Sequence, residues 1–151
     1  MGEDRVRYLL EEYFEDCLQD KVLERGKTFL RSAQEAGFQT VLLSEQLQGL
    51  VALLVEKLAP VDHFLGNRLE FKNGQATGRL VEPIIGGYQG GRWLQQWSQE
   101  QGFDLKHSRA YASQSTDLLF LANVGKPVRS ILIFSLRRAA LEADWPIVDY
   151  C

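Results

Sequence analysis

Gly37-Phe38-Gln39-Thr40-Val41-Leu42-Leu43-Ser44 is the stretch from which the fold of this chain is read. Ahead of it, about Gly26 to Ala36, lies a helical pattern that Gly37 stops. Behind it, Glu45 to Leu58 is helical again and is closed by Pro60. The run between, Gln39 to Ser44, is short and apolar and predicts a buried strand. Helix, glycine, strand and helix in close succession are the alternation of parallel α/β layers.

Working outward, Arg68-Leu-Glu-Phe71 and Ala76-Thr-Gly-Arg-Leu80 flank Asn73-Gly74, a pair that accepts the positive φ of a tight turn, so Asn67 to Val81 predicts a β-hairpin. Ile84 to Gly91 is a glycine-rich loop, and Trp93, Leu94 and Trp97 then mark the apolar face of a helix reaching Gln101-Gly102. Ser108–Ser113 predicts a strand, Thr116–Ala122 a short helix, Pro127–Phe134 a strand, Leu136–Ala143 a helix and Trp145–Tyr150 a last strand. Toward the N-terminus, Val6, Leu9, Leu10, Tyr13, Phe14, Cys17 and Leu18 recur at three and four, one face of an amphipathic helix. We therefore expect a single domain over residues 1–151, an N-terminal helix over 1–25 and an α/β core over 26–151. Its class is α/β, a three-layer, doubly wound and mostly parallel sheet with one hairpin.

Bulk properties narrow the function. With 151 residues and 45% hydrophobic content the chain can bury a core without disulfides or metals. A net charge of −3, from 17 basic and 20 acidic residues mixed along the chain, makes no field that would gather nucleic acid. Leu47 to Leu58 is interrupted by Gln48 and Glu56 and is too short to span a bilayer, so no membrane insertion is expected. Met1-Gly-Glu-Asp-Arg5 lacks the features of a secretory signal, and a cytoplasmic location is expected. Cys17 and Cys151 form neither a disulfide framework nor a metal-ligand spacing.

In order, these segments resemble the haloacid dehalogenase superfamily, in its phosphoserine-phosphatase-like branch, over roughly Gly26 to Tyr150. Gly37 to Ser44 is similar to that branch's second motif, Leu69-Glu-Phe-Lys-Asn-Gly-Gln-Ala-Thr-Gly78 to its hairpin, and Asp117 to Val128 to the helix and strand after its fourth motif. The resemblance implies that Ser44 holds a phosphate oxygen; a strand-end serine also caps a helix, and the segment opening at Glu45 offers one. It implies that Arg92 stands in the place of the third motif's lysine, where a guanidinium still binds phosphate. It implies, too, that Tyr111-Ala-Ser-Gln-Ser-Thr-Asp117 stands where the family has Tyr-Gly-Asp-Ser-x-x-Asp, with Ser113 in the place of the first acid.

The departures direct the functional reading. The family's phosphoryl transfer needs a strand-borne Asp-x-Asp as nucleophile and acid, and no such pair stands on a strand before Gly26. The expectation is a core lacking its central nucleophile strand, with that gap closed by direct pairing, by another segment or by a strand from a second molecule. Mg²⁺ needs several hard oxygen ligands, and Ser113 and Gln114 leave Asp117 alone, so no cofactor is expected. Beyond Pro127-Val128, where the family is polar, Ile131, Leu132, Ile133 and Phe134 are apolar. The expected function is that of a catalytically inactive, phosphatase-like domain acting by protein contact, as a homodimer or with another protein. The contact surfaces would be the helix bearing Leu10, Tyr13 and Phe14 and the strand bearing Ile131 to Phe134. The alternative is a residual phosphohydrolase or a binder of a small phosphorylated ligand, using Ser44, Arg92 and Asp117. The glycine pairs Gly86-Gly87 and Gly90-Gly91 read as a tight crossover, Trp93 and Trp97 as packing, and His63 and His107 as isolated surface histidines.

Overall fold

The structure is a computed structural model, and it describes residues 1–21, 24–58, 60–86, 92–112 and 126–129. The main chain divides into two compact units, Met1–Ile85 and Gly86–Cys151. Both are mixed α/β.

In the first unit, α1 (Glu3–Tyr13) has Glu3 and Asp4 in its first turn, where carboxylates complement the helix dipole. Its start is tied to the hairpin: Ala76 N donates to Met1 O at 2.8 Å and Glu3 N to Gly74 O at 3.2 Å. Past Tyr13 the helix widens into a π-helical turn, Phe14–Leu18, then tightens into Gln19–Lys21. Phe14 is 1% exposed. The Lys57 ammonium lies 5.4 Å from the centre of its ring and 3.8 Å from a Glu15 oxygen.

The helix α2 (Glu24–Glu35) leads through Gly37 into β1 (Val41–Leu47), and α3 (Gln48–Lys57) crosses over to β2 (His63–Lys72). β2 turns at Asn73-Gly74, with φ of 51° and 74°, into β3 (Gln75–Val81). Sheet order is β1-β2-β3. The first pair is parallel, Val41 opposite His63 and Leu43 opposite Leu65; the second is antiparallel, Arg68 opposite Val81 and Lys72 opposite Gln75. The hairpin lies where the Asn-Gly turn puts it. β2 starts well before the hairpin, because its first half is a parallel partner of β1 joined by a crossover helix.

One boundary differs from expectation. Glu45 to Leu47 continue β1 and the helix starts only at Gln48. Asn67 on β2 takes the Glu45 carbonyl at 2.7 Å, and Leu47 lies opposite Asn67, so a cross-strand bond overrides the helix propensity of Glu45 and Gln46. Leu50 and Val51 bury the inner face of α3. Gly66 permits its close approach to the strands: a Cβ there would meet Gln46 O at 2.8 Å and Val51 Cγ2 at 2.9 Å.

The opposite end of the sheet is fastened by Thr40 and Asp62. Thr40 N and Oγ1 donate to Asp62 Oδ2 at 2.7 and 3.1 Å, and Gln34 Nε2 on α2 donates to Thr40 Oγ1 at 3.0 Å and to Pro60 O at 3.2 Å.

In the second unit, α4 (Arg92–Gln101) buries Leu94 and Ser98. Trp97 stands between Trp93 and Phe103, with ring centres 6.1 and 5.5 Å apart, as packing residues do. A short turn, Leu105–His107, precedes β4 (Arg109–Ala112), which pairs in parallel with β5 (Lys126–Arg129). The expected helices Thr116–Ala122 and Leu136–Ala143, the strand Trp145–Tyr150, most of the strand Pro127–Phe134 and most of the glycine-rich loop lie outside the described residues.

Candidate functional site

The site expected from the sequence centres on the end of β1. Ser44 is half-buried there, and its Oγ accepts from Gln46 N at 3.1 Å. As an acceptor in that bond the hydroxyl keeps its proton to donate. It does not cap the following helix: α3 is preceded by Leu47, which makes no side-chain cap, so the first amides of α3 are left without one. Of the two readings of Ser44, helix cap or anion contact, the geometry removes the first. Gln48, at the head of α3, has its Oε1 buried without a partner among the described residues.

What fixes this end of β1 is Asn67, a residue not singled out in the sequence. It is 6% exposed. Its Nδ2 donates to Glu45 O at 2.7 Å and to Ile85 O at 3.0 Å, while its Oδ1 accepts from Ile85 N at 2.7 Å. One amide thus holds the loop after β3 against the end of β1, with all three contacts to main chain. The visible signal was a lone asparagine inside the run Phe64-Leu-Gly-Asn-Arg-Leu69.

The contact residues expected on the N-terminal helix divide. Phe14 is enclosed by its own chain. Leu10 is half-buried and faces α3, its Cδ1 2.7 Å from where a Cβ on Gly49 would stand. Tyr13, 48% exposed, remains on the surface. Arg92 is the first residue of α4 in the second unit. Ser113, Asp117 and Ile131 to Phe134 lie outside the described residues.

His107, read as isolated, has a partner three residues away. Its Nδ1 lies 2.5 Å from Asp104 Oδ2, and Asp104 also accepts from Lys106 N at 3.0 Å. That imidazole contact, foremost, holds the Asp104 carboxyl below the usual range. The pair is exposed and caps the turn before β4.

No group of three or more histidine, cysteine or acidic side chains is assembled for a metal among the described residues. The donors that this chain supplies in the fourth-motif segment are Ser113, Gln114 and Asp117, with one charge among them. That set does not fit a Mg²⁺ that must be held by several hard, charged oxygens. No helix among the described residues is long and apolar enough to cross a membrane.

Similarity to known proteins agrees with this architecture. A phosphoserine phosphatase of Mycobacterium tuberculosis is 28% identical over 140 residues, which are 93% of this chain and 45% of that protein. A phosphoserine phosphatase of Archaeoglobus fulgidus is 29% identical over 105 residues, 70% of this chain and 30% of that one. The chain thus spans less than half the length of these relatives. Among solved structures, a protein of unknown function from Bordetella pertussis Tohama I superposes with a TM-score of 0.88 at 19% identity, over all of this chain and 69% of that one. A phosphoserine phosphatase captured as an analogue of its phospho-aspartyl intermediate gives 0.66 at 18% identity, over 99% of this chain and 73% of that one. The sequence model of the haloacid dehalogenase-like hydrolases matches residues 3–122, and the chain belongs to that family.

Proposed function

We propose that this chain is a member of the family without competent phosphatase chemistry of its own, and that it acts by binding protein, either a second copy or another chain. The observation that carries this reading is Ser113 in the place of the family's first acid, which, with an uncharged Gln114 beside it, leaves Asp117 as the sole carboxylate of that segment. A carboxylate held alone does not anchor Mg²⁺, and without the metal its share of the charge on a transferred phosphoryl group goes unneutralised. Two features support protein contact. Isoleucine, leucine and phenylalanine at Ile131 to Phe134 favour a covered surface over a wet phosphate site. And β1 pairs with β2 and with no other strand among the described residues, an edge of the kind that strand addition uses. Light scattering on the purified chain tests the contact: a dimer, or a complex recovered with a defined partner, is expected, and a monomer without partners contradicts it.

A second reading draws on the end of β1. The uncapped first turn of α3 and the Ser44 hydroxyl supply donors suited to one small anion. The chain then binds a phosphorylated ligand without turning it over. Thermal stabilisation by inorganic phosphate, lost in Ser44→Ala, distinguishes this from pure protein contact.

A further inference from the structure

A groove that plays no part in the readings above runs between α2 and the connection from α3 to β2. Lys27, Leu30 and Arg31 line one wall, and Leu58 and Pro60 the other, around about 230 Å³. It lies at the far end of β1 from Ser44. α3 leaves β1 at Leu47 and returns the chain toward His63, which stands opposite Val41 at the start of β1.

The three α2 residues follow the helical repeat, and Gln34 continues the stripe by bonding Pro60 O at 3.2 Å and Thr40 Oγ1 at 3.0 Å. The second wall is thereby fixed against the first. Chemically the groove is two-faced: leucine and proline floor it, and two cations stand on one rim. The Lys27 side chain is only 20% exposed, so its methylenes line the groove while its ammonium reaches out to Glu24 at 2.7 Å. The Glu24 carboxyl is held below its usual range, chiefly by its hydrogen bond to Lys27 and also by the Arg31 charge. Glu24 is itself 77% exposed, a solvated surface acid that a better-placed anion can replace at Lys27. Arg31 adds a second, planar donor set one helical turn on.

We propose that this groove is a binding site for a small carboxylic acid with a branched apolar body, its carboxylate between Lys27 and Arg31 and its hydrocarbon against Leu30, Leu58 and Pro60. The size fits such a ligand: the volume lies below the ~300 Å³ at which sites for drug-sized molecules begin. Neither half of the ligand suffices alone. A bare inorganic anion leaves the apolar floor wet, and a neutral isostere leaves both cations without a new partner.

Amide NMR spectra of the whole chain test this, with isocaproate, isocaproamide and inorganic phosphate as separate titrants at millimolar concentration. Saturable shifts confined to Lys27, Leu30, Arg31 and Leu58 are expected with isocaproate and with neither of the others. Arg31 is exposed, so Arg31→Gln leaves the fold intact; it weakens isocaproate binding roughly tenfold through loss of one charge-assisted contact. Lys27→Met, which keeps an apolar stem, does the same. Equal shifts with the amide, shifts with phosphate alone, no saturation with isocaproate, or unchanged affinity in both variants would overturn the assignment. The result is independent of whether the chain dimerises or binds phosphate at Ser44.

Discussion

Two side chains carry much of the first unit's order, and both act on main chain. Asn67 satisfies three backbone groups with one amide, the N–H and carbonyl of Ile85 in buried bonds and the carbonyl of Glu45 in a part-buried one. Asn67→Leu leaves those groups dry and unpaired, and unfolding in urea is expected to show a loss of about 2–4 kcal/mol, the range for orphaning more than one buried polar group. Asn67→Asp is informative because it keeps the acceptor for Ile85 N while turning the donor toward two carbonyls into a repelling oxygen, and the same titration should show it no more stable than the leucine variant. Asp62 acts through pH. Its carboxyl is held below the usual carboxylate range, first by the Thr40 backbone N–H and then by the Thr40 hydroxyl. Because the folded-state value is the lower one, the unfolded chain binds more protons across the interval between the two, so stability rises with pH there. The contribution is complete above the unfolded carboxylate value and is lost as pH falls through the folded one. Asp62→Asn should therefore flatten the acid limb of a stability–pH curve below about pH 4 and leave its neutral region parallel to that of the parent. Of these residues the sequence showed the identities but not the roles. Asn67 and Asp62 each reach partners 18 to 22 positions away, and no local pattern encodes such a pairing.

Elements whose causes are local were legible, and those whose causes are remote were not. The Asn73-Gly74 turn and the amphipathic stripe from Val6 each contain their own signal, and both stand where expected. The end of β1 was misplaced by three residues because Asn67, on another strand, holds Glu45 extended. Likewise the parallel half of β2 depends on β1 and not on its own alternation. The placing of α1 is set by contacts at both ends: backbone bonds to the hairpin turn, and Leu10 against α3 at Gly49. Gly49→Val puts carbon where Leu10 sits, so α1 should be displaced before the sheet is. Hydrogen exchange is expected to quicken at α1 amides while those of β1 and β2 keep their protection. Equal acceleration in all three would mean that α1 is integral to the folding unit and not a layer laid on it.

At the scale of the whole molecule, fold and family were readable from the order of small motifs: strand and serine, hairpin with its Asn-Gly turn, and the segment Asp117 to Val128. Their succession is shared with the haloacid dehalogenase-like hydrolases, to which residues 3–122 belong. The site was less legible. Ser44 proved not to cap a helix, and the expected partners of its phosphate chemistry fall partly in the second unit and partly outside the described residues. The central claim, that this scaffold has kept its architecture without a working metal and acid set, rests on Ser113, Gln114 and Asp117. Its most direct test is hydrolysis of phosphoserine and other small phosphomonoesters by the purified chain, with and without Mg²⁺. The account predicts release of phosphate indistinguishable from the buffer blank under both conditions; Mg²⁺-dependent turnover that disappears in Asp117→Ala would contradict it.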